Sequence, residues 1–120
     1  MGTMTVVTAS LDELCQIDGV VCAFEFDADG RLVDFKARAG ISRDVVELGA
    51  EYCATITSVF KTLADSATRL TPMGWTPFHA WCYTGGEYTC VIGGDGYRGV
   101  FCETSRCDLN KVHGILSGTR

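Results

Sequence analysis

Two prolines, two histidines, no C-x-x-C pair and no long apolar run mark this 120-residue chain first by what it does without. A membrane-spanning helix needs about 20 consecutive apolar residues, and no stretch here reaches that length. A structural zinc knuckle needs paired, closely spaced ligands, and none occur. A basic cluster is also missing. The ten cationic residues, Arg31, Lys36, Arg38, Arg43, Lys61, Arg69, Arg98, Arg106, Lys111 and Arg120, are scattered, and the net charge is -5. Such a chain repels phosphate backbones, which excludes nucleic acid as a partner class. Met1 to Ala9 has neither the basic start nor the apolar core of a secretory signal. Gly2 lacks the Ser or Thr that N-myristoylation requires, because Val6 occupies that position. The expectation is a cytoplasmic protein without membrane contact.

What is abundant is cysteine. The seven make an odd number, which argues against a disulfide framework in a chain without a secretory signal. Cys22, Cys53, Cys90 and Cys102 stand in apolar patterns, as expected of free cysteines that pack as small hydrophobes. With 47% hydrophobic residues, the length suits one domain. The expected division is a tail at 1–9, a single domain at 10–116 and a tail at 117–120.

Ser10 and Glu13 have the spacing of a capping box and open a short helix, Leu11 to Ile17. Strands are expected at Val20 to Phe26 and Arg31 to Ala37, joined at Asp27-Ala28-Asp29-Gly30, whose residues suit a tight turn. Ser42 caps a long helix reaching Leu70. Its apolar positions, Val45, Leu48, Gly49, Tyr52, Cys53, Ile56, Val59, Phe60, Leu63, Ala67 and Leu70, recur at helical spacing. Asp44, Glu47, Glu51, Thr55, Ser58, Lys61, Thr62 and Asp65 mark the opposite face. Pro72 stops the helix. A third strand is expected from about Met73 to Thr84, at an edge or bulged because Pro77 lacks an amide donor. Glu87 to Ile92 and Tyr97 to Glu103 complete a meander, and Asp108 or Ser105 caps a last helix ending at Leu116. The order is α-β-β-α-β-β-β-α, an α/β protein of the α+β type.

No motif assembles into chemistry. Gly94-Asp95-Gly96-Tyr97-Arg98-Gly99 matches a dinucleotide fingerprint, but that motif must open a helix, and Val100 to Thr104 reads as a strand. Glu25, Asp27, Asp29 and Gly30 resemble a calcium loop, yet Lys36 stands where a bidentate Glu is required. His79 and Cys82, with Cys90, Cys102 or Cys107, would come from separate strands. His113 is tied to no particular cysteine. These readings lead to an expectation of no catalytic residues, no cofactor and no metal. The aromatics stand out instead. Core packing accounts for some of Trp75, Phe78, Trp81, Tyr83 and Tyr88. An exposed aromatic edge strand needs cover, however, and a partner subunit is the economical cover. The expected dimer-interface residues are Met73, Trp75, Phe78, His79, Trp81 and Tyr83.

Leu11-Asp12-Glu13-Leu14, Ile17-Asp18-Gly19-Val20 and Asp27-Ala28-Asp29-Gly30-Arg31-Leu32-Val33 resemble the opening of roadblock-type dynein light chain domains. Trp75-Thr76-Pro77, Gly85-Gly86 and Gly99-Val100-Phe101-Cys102-Glu103-Thr104 are similar to a small bacterial branch of unknown function. The resemblance spans Ser10 to Leu116. It implies a five-stranded antiparallel sheet with the long helix on one face and the short terminal helices on the other. It also implies a homodimer joined through third strands and long helices. The implied role is a non-enzymatic scaffold or regulatory module for a small GTPase or a multiprotein complex. Members placed near sulfur-oxidation genes imply a second reading, a cysteine-based redox or sulfur-handling accessory protein of a redox complex. A small ligand between sheet and helix is a third class.

Overall fold

The computed structural model describes residues 9–38 and 40–117. The N-terminal tail before residue 9 and the end of the C-terminal tail lie outside the described residues. Helix α1 (Leu11–Cys15) opens with the reciprocal Ser10–Glu13 capping box. Strands β1 (Val20–Phe26) and β2 (Leu32–Ala37) form the first hairpin. Its turn is held by the Asp27 carboxylate, which accepts from Asp29 N and Arg31 N at 2.9 and 3.0 Å. Helix α2 (Arg43–Leu70) starts at Ser42, whose hydroxyl accepts from Val45 N. Strands β3 (Trp81–Thr84), β4 (Tyr88–Gly93) and β5 (Arg98–Glu103) follow, and α3 (Leu109–Leu116) closes the fold behind the Asp108 cap.

The sheet order is β2-β1-β5-β4-β3, antiparallel throughout. Two cores cover its faces. Phe24, Phe26, Cys90 and Ile92 pack with Val46, Ala50, Cys53 and Ala54 of α2. Ala23, Val91, Val100 and Cys102 pack with Leu11, Leu14, Val112 and Leu116 of the short helices. The long helix therefore takes one face and the terminal helices the other. A register shift between Val20 and Cys22 lets Val20 and Ala23 join one core while Cys22 and Phe24 join the other.

Two expectations change. Strand β3 begins at Trp81, not near Met73. Pro72 and Pro77 lack the amide donors a ladder needs, and local side chains capture neighbouring ones. Met73 N donates to Thr71 Oγ1 at 3.2 Å and Trp75 N to Thr68 Oγ1 at 2.9 Å. The expected apolar stripe of α2 also divides. Of its eleven positions only Cys53 is buried. The face on the sheet is built from smaller neighbours, Val46, Ala50, Ala54, Thr57 and Ala64, so the larger apolar residues lie beside it.

Candidate functional site

Helix α2 carries two adjoining apolar faces, and the outer one defines the candidate site. Val45, Gly49, Tyr52, Ile56, Val59, Leu63, Ser66 and Leu70 alternate in steps of four and three, the spacing of a coiled-coil seam, with Gly49 at its inner margin against the Phe101 ring. Along it Val45, Tyr52, Val59, Leu63 and Leu70 are exposed, Tyr52 at 64% and Leu63 at 59%. The seam runs toward the 71–80 segment, where Met73 and Trp75 are also exposed. That segment, the C-terminal half of α2, strand β3 and the start of α3 enclose an open, mainly apolar cleft of about 1010 Å³. Phe60, Leu63, Trp75, Phe78, Leu109 and His113 are among its walls. Strand β3 is the last in the sheet order. Its outer backbone groups face away from the sheet, the template to which another strand can add.

One buried hydroxyl fixes the geometry of this region. Thr57, fully buried in α2, donates to Gly96 O at 2.8 Å and accepts from Trp81 Nε1 at 2.9 Å. It thereby ties α2 to the β4–β5 turn and to the first residue of the edge strand. Gly96 has φ +102°, and a Cβ there would lie 2.2 Å from Thr57 Cγ2 and 3.1 Å from Phe78 Cε1. Gly99 is equally constrained, since its Cβ would stand 2.5 Å from Val91 O. The glycine motif is thus a turn and a close strand contact leading into β5, not a helix start. Lys61 supports the same turn, with Nζ 3.1 Å from Tyr97 Oη and 4.3 Å from the ring centre.

The six expected interface residues come to one region with different exposure. Met73, Trp75 and Tyr83 are exposed large residues, Tyr83 at 66%, and His79 is exposed. Phe78 and Trp81 are half-buried. The Trp81 ring lies 6.0 Å from that of Phe60, so it supports the fold as well as the surface. Periodicity alone does not separate the seam on α2 from the buried face; the signal available in the sequence is residue size, with Val46, Ala50, Ala54 and Ala64 on the sheet and the larger apolar residues outside.

Of the seven cysteines, Cys82 alone lines the cleft. Cys22, Cys53, Cys90 and Cys102 are buried, Cys15 and Cys107 intermediate, and Cys82 exposed on β3. Burial pushes the Cys22 thiol up to about 12. The Cys90 thiol is raised first by its contact with Cys53, at 3.9 Å, and then by burial. Burial, then contact with Cys107, puts Cys102 at about 12. Such thiols are protonated at neutral pH and react slowly. Among the described residues no group of three or more His, Cys, Asp or Glu is placed to hold a metal ion, and no helix is long and apolar enough to cross a membrane. On the terminal-helix face, Arg98 is buried beside Glu25, with Nε 3.3 Å from Oε1. The contact is off the hydrogen-bond axis, which leaves Arg98 Nε and Nη1 without a hydrogen-bond partner.

Comparison with solved structures places the architecture. The gliding protein MglB from Thermus thermophilus aligns with a TM-score of 0.67 at 17% identity, over 90% of this chain and 79% of that one. A structure described as MglB with tetrameric arrangement aligns at 0.66 and 18% identity, with the same coverage. The chain therefore has the roadblock-like fold of these proteins. Among curated proteins nothing matches. Residues 10–117 match the family described as uncharacterized conserved protein DUF2173, and because the match spans most of the sequence, the chain belongs to that family.

Proposed function

We propose that this chain is a homodimeric, non-catalytic docking module of the cytoplasm, which pairs through the outer face of α2 and the free edge of β3 and binds a partner protein. One observation carries the reading. The exposed seam of α2 continues into the exposed aromatics of the 73–83 segment, beside an unpaired strand edge. Monomeric proteins rarely expose apolar surface of that extent. A second copy related by a twofold axis would set seam against seam and β3 against β3, since such an interface is self-complementary. A stable pair needs about 1,200–2,000 Å² of total buried surface, which a 28-residue helix with a flanking strand can supply. The tetrameric arrangement of a similar structure supports self-association as a property of this architecture.

For the partner, the roadblock resemblance favours a small GTPase or a complex built around one. The mechanism would be preferential binding of one nucleotide state, because only differential affinity shifts a conformational equilibrium. The test titrates the purified protein against the host's small GTPases, each loaded with GDP and with a non-hydrolysable GTP analogue, by calorimetry. The reading expects saturable binding with at least a tenfold preference for one state, about 1.4 kcal/mol. Equal affinity for both states, or no binding across the set, removes the GTPase assignment.

A further inference from the structure

The seam and the cleft leave one built feature unused, a pair of thiols on the sheet face that carries the terminal helices. Cys102 lies on β5, with its thiol in the core beneath α1 and α3. Cys107 follows the short turn Thr104–Arg106 and precedes the Asp108 cap of α3. The Cys102 and Cys107 sulfurs lie 2.7 Å apart, inside the ordinary contact distance of two thiols. A covalent disulfide is roughly 2.05 Å long, so little movement separates the thiols from a bond. The turn between them is held in place. Arg106 pairs with both Asp18 and Glu103, and Cys107 N donates to Thr104 O.

We propose that Cys102 and Cys107 form a reversible dithiol–disulfide site whose co-substrate is a low-molecular-weight disulfide. Cys107, partly exposed, is the thiol a reagent reaches, while Cys102 is buried. Cys107 releases its proton to solvent and its sulfur attacks one sulfur of the reagent. The reagent's S–S bond breaks, and one reagent thiol leaves after taking up a proton. Cys102, held protonated by burial until then, gives its proton to solvent and attacks Cys107 Sγ. The mixed disulfide breaks and the second reagent thiol leaves. Two protein thiols are oxidised and one reagent disulfide is reduced, by two electrons. The product fastens the turn before α3 to the end of β5. This inference is independent of the docking face, and its test reads the thiols alone.

The full chain is equilibrated in graded mixtures of oxidised and reduced glutathione, quenched in acid, alkylated and digested with trypsin. Cleavage after Arg98, Arg106 and Lys111 places Cys102 in the peptide 99–106 and Cys107 in the peptide 107–111. The first disulfide formed within the chain should join these two peptides. Its closure should remove two of the seven free thiols, beyond any glutathione carried by the exposed Cys82, and dithiothreitol should restore them. Cys107→Ser, at a partly exposed position, should abolish the joined peptide. Cys102→Ala, if it folds, should accumulate glutathione on Cys107. If it does not fold, the wild type and Cys107→Ser decide the matter. The proposal is overturned if another pair, such as Cys53 and Cys90, closes first. Two thiols that stay reduced throughout, or wild-type Cys107 that holds glutathione without closing the bond, overturn it equally.

Discussion

Replacing Thr57 by Val tests the hinge point on which the candidate face depends. The substitution keeps the shape and removes the hydroxyl. Gly96 O then loses a donor at 2.8 Å and Trp81 Nε1 loses an acceptor at 2.9 Å, in a position where residue 57 is fully buried. An orphaned buried polar group costs about 1–3 kcal/mol. Trp81 is only half-buried, so water can reach part of that loss, and the sum should be about 2–4 kcal/mol. For a domain of this size that lowers Tm by about 10 °C, measured by thermal unfolding followed by circular dichroism. Thr57→Ser keeps both bonds and loses one methyl, so it should cost about 1 kcal/mol. Trp81→Phe removes one bond only. A cycle of Thr57→Val with Trp81→Phe should show a coupling of about 1 kcal/mol. A Thr57→Val protein melting within about 2 °C of wild type would refute the assignment of this hydroxyl as the tie between α2, the β4–β5 turn and the edge strand.

Gly96→Ala meets both a positive φ and the side chain of Thr57, and should lower the urea midpoint by the equivalent of about 3 kcal/mol. Glu25→Ala leaves the buried Arg98 guanidinium without its counter-charge. The loss should be about 2 kcal/mol, moderated by the exposure of Glu25, and equilibrium denaturation reads it. In the native protein Cys82 should react first with a small aromatic disulfide, and Cys22, Cys53 and Cys90 only after unfolding, because Cys82 alone is exposed. The Asp18 carboxyl is held below its usual range by its bond to Arg106. A depressed folded pKa gives stability that is present above the unfolded carboxyl pKa and fades as pH falls through the folded one. Arg106→Gln should therefore flatten the acid side of the stability profile while leaving its shape above pH ~5 unchanged.

Much of this fold was readable because its local signals agree. The Ser10–Glu13 box, the Asp27 turn, Ser42 and Asp108 each satisfy backbone groups from side chains a few residues away, and such bonds depend on local sequence. Strand β1 runs from Val20 to Phe26 as its pattern predicts. Strand β3 was overextended because aromatic residues favour strands even where Pro72, Pro77 and the Thr68 and Thr71 hydroxyls remove the ladder. The candidate site was half legible. The cluster from Met73 to Tyr83 signalled an uncovered surface, but the role of α2 within it was blurred. Small residues face the sheet and large ones face outward, and periodicity over the whole helix merges the two. The Thr57 bonds and the Cys102–Cys107 contact join residues whose meeting depends on register and turn geometry. The first spans the long segment from α2 to the β4–β5 turn.

Sedimentation equilibrium of the wild type and of Leu63→Glu, at micromolar concentration, tests the paired face most directly. Leu63 lies in the outer seam and is exposed in the single chain, so a carboxylate there is tolerated by the monomer. Buried between two copies, it would meet apolar surface and its own symmetry mate, at a cost of several kcal/mol. The wild type should sediment at twice the 12.9 kDa chain mass. Leu63→Glu should sediment at the single-chain mass with an unchanged circular dichroism spectrum. A wild type that stays at 12.9 kDa, or a Leu63→Glu protein that pairs as tightly as wild type, would contradict pairing through this face.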